Sequence, residues 1–287
     1  MEILDLSNVG SDVPSYVRDK MEPGLDQPLT QILLNPNANY SWYLTKGELH
    51  RYNIAYNEHE GGLYLGSKDN PYLCLIQPKD DKVTTLIVHP DCRLVCQFAF
   101  HQHPNLTNLS IAAEDELNIA HDAFSQCPKL QSISFNCKGH VFLRYSVFQN
   151  CPNLENVTFD EVAQYEFSGH LFASCPKLTR FEFPKGIAQD YVQNRAYDVF
   201  QGTPIEHLYL PKSLVIVENW FEPTTKVYCE LDPKRVASSY HEEEEFEPYH
   251  DYYHPGGTHT LHISDYGGAN FFGPMTRSEY EKLFPES

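Results

Sequence analysis

The chain has 287 residues, of which 41% are hydrophobic, which is enough apolar surface to build a folded core and excludes global disorder. Its formal net charge is −18 at pH 7, which excludes a typical nucleic-acid-binding protein and disfavours anionic membrane surfaces. Eight cysteines in a chain of this length are too few for a disulfide-rich scaffold.

Residues 1–62 do not repeat and are predicted to form an N-terminal cap. The start, MEILDLSNVGSDVP, has none of the parts of an export signal, and no apolar run of the sequence is long enough to cross a bilayer. As written, the chain is expected to be cytoplasmic by default, or secreted or on the cell surface if a leader was removed. Alternating residues over 40–57 predict a β-hairpin around Lys46-Gly47.

Residues 63–232 contain a repeat. Its strict copies are AFHQHPNLTNLSI (99–111), AFSQCPKLQSISF (123–135), VFQNCPNLENVTF (147–159) and LFASCPKLTRFEF (171–183), spaced by 24 residues. A fifth copy, VFQGTPIEHLYL (199–210), follows after four extra residues and is one residue shorter. Periods of 20 to 50 residues indicate a solenoid, in which each coil buries its apolar face against its neighbours.

The apolar spacing within a copy predicts how each coil folds. Leu130, Ile133 and Phe135 indicate a short strand and its approach, with the last two side chains directed inward. The second half of a coil has its own inward pairs, such as Leu117 and Ile119. Adjacent coils are expected to be about 4.8 Å apart, and parallel crossovers are right-handed.

These copies resemble the BspA-type leucine-rich repeat, which runs Ala-Phe, two residues, Cys, one residue, Leu, then Ile-x-Ile-Pro. The resemblance covers about residues 63–232 and includes a lead-in over 63–95. It implies a β-rich repeat solenoid of the α/β leucine-rich-repeat type, with right-handed parallel coils of about 24 residues, short strands and non-repeat caps. It also implies a binding or adhesion role without catalytic residues. The proline that usually follows the strand is kept at Pro184 and Pro211 only.

Residues 233–287 are predicted to form an acidic, His- and Tyr-rich C-terminal appendage. HEEEEFEPYHDYYHPGG (241–257) indicates a loop, and THTLHIS (258–264) alternates like a strand. In TRSEYEKLF (276–284), Thr276 precedes Glu279 by three residues, which is the spacing of a capping box and predicts a short terminal helix.

The cysteines of the repeat share one position, which is occupied in turn by His103, Cys127, Cys151, Cys175 and Thr203. Stacked at the coil spacing, their Cβ vectors would be parallel and their sulfurs poorly placed for a disulfide. We therefore expect these thiols to be small buried hydrophobes.

Two clusters could suggest a metal. HPDCRLVCQFAFHQH (89–103) contains His89, Cys92, Cys96, His101 and His103, but its cysteines have three intervening residues rather than two. The register also places Cys92 and Cys96 at variable outward or turn positions, so zinc is not expected here.

The second cluster is in the C-terminal segment. His250, His254 and His259 are weak candidates for a divalent cation, although Pro248 and Pro255 disfavour a helix that would align the first two. A solvated acidic loop is the expected structure of this segment.

Outward residues of the repeat strands are predicted to line up in two columns. One contains Asn108, Ser132, Asn156, Arg180 and His207, and the other Ser110, Ser134, Thr158, Glu182 and Tyr209. The later members introduce charge and an aromatic ring, which are common in interface hot spots. The candidate partner-binding residues are Arg180, Glu182, His207, Tyr209, Asn156 and Thr158. The period-breaking insertion within 184–200 adjoins them.

The sequence predicts a non-enzymatic binding module, since it contains none of the Gly-x-Ser-x-Gly, HExxH or phosphate-loop motifs. The expected partner is a protein, or alternatively a glycan, and the net charge favours a partner with a basic surface. Two other hypotheses remain: a metal-binding protein or metal-dependent enzyme that uses the C-terminal His/Glu-rich segment, and a structural subunit of a larger assembly. No cofactor is expected, and the oligomeric state is not predicted.

Overall fold

The structure is a computed structural model of the chain. It describes residues 2–8, 28–35, 44–49, 53–160, 163–184, 187, 198–211, 216–217, 220–230, 262–263 and 270–285. Within this part of the chain, no helix is long and apolar enough to span a membrane.

Two sheets run along the repeat region, one from each half of the coil. The first sheet is parallel and contains β6 (Thr85–Val88), β8 (Asn108–Ala113), β10 (Ser132–Cys137) and β12 (Asn156–Phe159). The second sheet contains the parallel strands β5 (Cys74–Pro78), β7 (Leu94–Val95), β9 (Leu117–Ile119), β11 (His140–Leu143) and β13 (Gln164–Phe167). A hairpin of β3 (Asn57–His59) and β4 (Gly62–Leu65) extends the second sheet at its N-terminal end.

The strand register matches the sequence period. Ile133 pairs with Leu109 on one side and with Val157 on the other, so neighbouring partners are 24 residues apart. The chain is thus a parallel β-solenoid of about 5 turns with about 24 residues per coil, which confirms the predicted fold.

The aromatic residue that closes each turn forms a continuous buried stack. Its members are Phe100, Phe124, Phe148, Phe172, Phe200 and Phe221, with neighbouring ring centroids 5.5 to 5.8 Å apart. Burial of one such side chain contributes about 1.5–3 kcal/mol. Each inner ring of the stack contacts the rings of the coils on both sides, so one coil cannot bury its own core.

Two turn positions of each coil have a left-handed backbone. The first is occupied by Phe98, Asp122, Ser146, His170 and Asp198, and the second by Gln102, Gln126, Asn150, Ser174 and Gly202. A residue with a Cβ pays about 1–2 kcal/mol in this region. Hydrogen bonds between coils offset that cost, as where the Phe124 N–H donates to the Val147 carbonyl at 3.0 Å.

The N-terminal residues pack on the first coils. Strands β1 (Glu2–Leu6) and β2 (Leu29–Leu34) pair in parallel, and their buried side chains share an apolar cluster with Leu94 and Cys96. The hairpin predicted around Lys46-Gly47 is wrong, because Lys46–Leu49 forms a short helix, α1. The hairpin of this region is β3–β4, whose turn is made by Glu60 and Gly61, both with positive φ.

The C-terminal strands continue the stack. A three-stranded parallel sheet contains β14 (His207–Leu210), β16 (Lys226–Cys229) and β18 (Asn270–Phe272), and β15 (Ile216–Val217) pairs with β17 (His262–Ile263). Helix α2 (Arg277–Leu283) follows. Thr276 and Glu279 form a capping box at its start, which confirms the predicted terminal helix. The acidic loop predicted over 241–257 lies outside the described residues.

Candidate partner-binding face

Outward side chains of the first sheet form two columns. Ser132 pairs in parallel register with Asn108 and Asn156, and the Ser132 hydroxyl donates a hydrogen bond to Asn108 Oδ1 at 2.7 Å. Ser134 and Thr158 lie side by side in the second column. The coil-to-coil register thus aligns these residues as the period predicts.

The columns continue past the insertion. Arg180 forms a β-bridge with His207, and His207 pairs with Lys226, so three cationic or titratable residues occupy adjacent rungs of one column. In the other column, Tyr209 pairs with Tyr228. The later rungs therefore carry charge and aromatic rings, whereas the earlier ones carry small polar groups.

The face is interrupted between β12 and the next coil. β12 is the terminal strand of its sheet, and in the described residues the segment 180–184 has one bridge, from Arg180 to His207 on its far side. The N–H groups of Asn156 and Asp160 donate to carbonyls of the preceding coil, at 3.1 and 3.0 Å. Because peptide groups alternate in direction along a strand, those of Val157 and Phe159 face the outer edge of β12.

A proline accounts for part of this interruption. In the 24-residue register, Pro184 takes the place of Asp160, whose N–H completes the ladder to the Phe135 carbonyl. Proline has no N–H, so it cannot make the equivalent bond to the Phe159 carbonyl.

The burial pattern shows the same interruption. Val157 and Phe159 are half-buried, whereas the equivalent Ile133 and Phe135 of the preceding coil are 1% and 2% exposed. Phe181 of the next coil contacts the Phe159 ring, with centroids 5.8 Å apart, but the inward face of β12 remains partly open on that side.

Helix α2 covers the far part of the face. The Tyr280 hydroxyl lies 2.8 Å from His207 Nδ1, and the Phe284 ring stacks on the His207 ring with centroids 3.8 Å apart. At the start of the helix, Arg277 forms an ion pair with Glu182 at 3.3 Å. The helix thus forms a wall over the column that contains His207.

Between this wall and β12 lies a cleft of about 700 Å³. Five of the six predicted binding residues line it: Asn156, Thr158, Arg180, Glu182 and His207. Three further lining residues are Arg277 and Tyr280 of α2 and Phe284, the residue that follows the helix. The sequence indicated that α2 is a helix, but it had no signal for where the helix docks.

Tyr209 differs from the other five. It was predicted to point outward, and it does belong to the outward column, but it is only 8% exposed because Tyr280 packs against it with ring centroids 5.6 Å apart. Its hydroxyl pKa is raised to about 12, mainly by burial and then by Glu230. Tyr209 therefore supports α2 rather than lining the cleft.

His207 is held neutral at the boundary of cleft and helix. Partial burial lowers its pKa, Arg180 and Lys226 lower it further, and Glu206 acts in the opposite direction. Burial and the nearby Glu182 raise the pKa of the Tyr280 hydroxyl. At neutral pH the contact between the two side chains is thus a hydrogen bond between uncharged groups.

The cysteine column is structural. Cys127, Cys151 and Cys175 are buried, and each thiol donates to the carbonyl of the closing phenylalanine of the preceding coil, at 3.2 to 3.5 Å. Burial raises the pKa of Cys127 and of Cys175 to about 12. Thiols in this state are poor nucleophiles.

Residues of the 89–103 cluster have separate roles. Cys92 and Cys96 are buried in the core, which corrects their predicted outward or turn positions. His89 Nδ1 accepts from the Asp91 N–H at 3.1 Å, and His101 Nδ1 lies 2.6 Å from the Ser125 hydroxyl.

His103 uses both ring nitrogens. Nε2 donates to the Asp80 carbonyl at 3.0 Å, and Nδ1 accepts from the Leu106 N–H at 3.1 Å. Across the described ranges, no group of three or more His, Cys, Asp or Glu side chains is placed to hold a metal ion. His250, His254 and His259 lie outside those ranges.

Comparison with known families and structures identifies the repeat. Residues 93–227 match the BspA type leucine-rich repeat region in 6 copies. No curated protein sequence matches the chain.

Several solved structures are similar in fold. The pneumococcal vaccine antigen PcpA shares 14% identity over 70% of this chain and 45% of its own, with a TM-score of 0.39. A leucine-rich repeat protein from Bacteroides ovatus shares 16% identity over 61% of this chain and 53% of its own, with a TM-score of 0.32. A leucine-rich cell surface protein from Faecalibacterium prausnitzii shares 10% identity over 61% of this chain and 70% of its own, with a TM-score of 0.26. The chain thus spans about half the length of the first two.

Proteins with this type of repeat typically mediate protein interactions and are generally non-enzymatic.

Proposed function

We propose that the chain is a non-enzymatic module that binds a protein partner through the outward face of its first sheet. The match of residues 93–227 to the BspA type leucine-rich repeat region supports this proposal. The binding site is the cleft between β12 and α2. The observation that carries this proposal is that Asn156, Thr158, Arg180, Glu182 and His207 line one cleft of about 700 Å³.

The chemistry of the cleft supports a protein partner. Its walls combine charged side chains with exposed parts of aromatic rings, and Arg and aromatic residues are the types that dominate binding hot spots. The cysteine thiols are buried and protonated, which leaves the described part of the repeat without an activated thiol nucleophile. A recognition surface is therefore the function that the geometry supports best.

Charge indicates how the partner approaches. The net charge of −18 favours a partner whose surface is basic overall, since complementary charge accelerates encounter. The column with Arg180 and Lys226 is a local exception, and an acidic group of the partner fits there.

Affinity capture from the native source tests the proposal. The full chain is compared with a variant that combines Asn156→Arg and Arg180→Glu, both at exposed positions. Lys138→Glu, at an exposed lysine that does not line the cleft, repeats the charge reversal of Arg180→Glu and is the control for that reversal. We expect the captured protein, once purified, to bind the double variant at least tenfold more weakly, about 1.4 kcal/mol, and the control within twofold. Equal binding to all three, or capture of a glycan without a protein, would contradict the proposal.

A further inference from the structure

The outer edge of β12 can pair with a segment of the partner, a mode of binding that rests on the proposed function. An edge strand presents a row of peptide N–H and C=O groups that can pair with another chain. The outer edge of β12 offers the N–H and C=O groups of Val157 and Phe159. The segment 180–184 faces this edge, and its one β-bridge in the described residues joins Arg180 to His207, on the side away from β12. The cleft therefore opens directly onto an edge of the sheet.

The side chains of β12 also fit an added strand. Val157 and Phe159 are half-buried, while the same positions of the preceding coil are closed by β12 itself. Phe181 contacts the Phe159 ring, with centroids 5.8 Å apart, so a strand with apolar residues at the matching inward positions would cover the parts of both side chains that remain exposed. The added strand would then contact β12 in the way that β12 contacts β10.

The segment 180–184, which faces the edge of β12, adds a charge preference. Arg180 is exposed in the column that continues through His207 and Lys226, and it lines the cleft. In the neighbouring column, the Glu182 carboxylate is paired with Arg277. An outward carboxylate of the added strand would lie beside the Arg180 guanidinium with complementary charge.

We propose that the cleft binds an extended segment of the partner protein as a parallel strand added to the edge of β12. The segment places apolar side chains over Val157 and Phe159 and an acidic side chain beside Arg180. Strand addition of this kind takes its affinity from main-chain hydrogen bonds and its specificity from alternate side chains.

A designed peptide tests this mode directly. The probe is the capped hexapeptide Glu-Asp-Val-Thr-Phe-Asp, which copies residues 155–160 with aspartate in place of the second residue. Residues 156–159 already pair in parallel with an equivalent edge, that of β10. In the same register, the second, fourth and sixth N–H groups of the peptide face β12.

Titration into the ¹⁵N-labelled full chain is expected to shift the amide signals of Val157 and Phe159. A methyl group on the fourth peptide nitrogen should weaken binding at least tenfold, because it removes a main-chain donor that faces β12. A methyl group on the third nitrogen should change binding by no more than twofold.

A second pair of peptides tests the charge preference. Lysine in place of the second peptide residue should weaken binding at least fivefold, and Arg180→Glu in the protein should reverse that preference. Lys138→Glu should leave it unchanged.

Four results would overturn the strand-addition mode: no binding at about 1 mM peptide, equal affinity for the two methylated peptides, amide shifts confined to other regions, or self-association of the chain that Arg180→Glu abolishes. The last result would assign the edge to a second copy. If the captured partner still loses affinity for the Asn156→Arg/Arg180→Glu variant, the proposed function stands while strand addition fails.

Discussion

Thr203 shows what the cysteine position of the repeat does in each coil. Its hydroxyl donates to the Phe172 carbonyl at 2.6 Å and accepts from the Cys175 N–H at 2.9 Å, and the side chain is fully buried. Cys127, Cys151 and Cys175 make the same contact with a thiol in the coils before it. The position therefore requires a small buried donor, which explains why cysteine is not kept in every copy.

Thr203→Val tests this role. Valine has nearly the same shape, so no cavity forms, but the Phe172 carbonyl and the Cys175 N–H lose their buried partner. We expect a loss of about 1–3 kcal/mol in the free energy of unfolding, measured by urea denaturation. Thr224→Val, at an exposed threonine of the next coil, should lie within about 0.5 kcal/mol of the parent. A similar small effect at both sites would contradict the role.

The thiols themselves should be unreactive in the folded chain. All eight cysteines are free and buried, and burial raises the pKa of Cys92, Cys137 and Cys229 to about 12, as for Cys127 and Cys175. Because the thiolate is the reactive form, a coloured disulfide reagent should label no thiol rapidly at pH 8. In guanidinium chloride it should label all of them. Fast labelling of any thiol of the native protein would show that one of these sites is open.

His121 is expected to make stability depend on pH. It is 6% exposed and accepts a hydrogen bond from the Tyr145 N–H at 3.1 Å, and burial, with Arg144 as a smaller cause, lowers its pKa to about 3. The unfolded chain binds this proton near pH 6.5 and the folded chain does not, so stability is full above that pH and is lost as pH falls towards 3.

Between pH 7.5 and 4.5, His121 should remove roughly 3 kcal/mol from the free energy of unfolding. His121→Asn keeps an acceptor for the Tyr145 N–H but does not titrate, so its stability curve should be flatter over this range by about that amount. Parallel curves for the two proteins would show that His121 is protonated in the folded state.

At the scale of elements, helix α2 determines how much of the outward face is exposed. The helix has seven residues, which is too short for stability in isolation, so it depends on its cap and on its contacts with the face. The rings of His207 and Tyr209 on the face contact Tyr280 of the helix and Phe284 at its C-terminal cap. These contacts fix the wall of the cleft.

Removal of the capping box should loosen α2 without unfolding the solenoid. In Thr276→Ala, the Glu279 N–H loses its side-chain acceptor, which costs about 1 kcal/mol. We expect amide hydrogens of α2 to exchange about fivefold faster, with an unchanged midpoint of global unfolding. Thr276→Ser retains the cap and should exchange like the parent. A matching loss of global stability would mean that α2 unfolds together with the repeats.

The elements also show what the sequence can and cannot predict. The coils follow from local spacing, because Ile133 or Phe148 finds its neighbours one period away, and those neighbours have the same pattern. The docking of α2 depends on contacts such as Tyr280 with His207, which are 73 residues apart in the chain and have no repeating pattern.

The interruption of the sheet after β12 was only partly predictable from the sequence. Pro184 and the insertion that follows it were visible in the sequence, but their effect depends on which N–H groups complete the ladder to Phe159. The 24-residue register places Phe159 at the position of Phe135, but Phe159 is half-buried beside the open edge whereas Phe135 is 2% exposed.

At the scale of the whole molecule, one apolar core runs from Tyr64 to Cys229, and a second cluster lies at the N-terminal end. A solenoid of this kind is held by neighbour contacts along one direction, so its outer faces remain free for binding. In this chain the first sheet keeps that face open up to α2. Under the proposed function, the net charge of −18 and the local column of Arg180, His207 and Lys226 favour different groups of the partner.

The most direct test of the central claim is hydrogen exchange of the full chain alone and in complex with its captured protein partner. We predict slower exchange in the complex at residues 155–160 and 180–184, with strands of the second sheet such as β9 and β11 unchanged. Protection confined to the second sheet or to the N-terminal strands, with residues 155–160 exchanging as in the free chain, would contradict it.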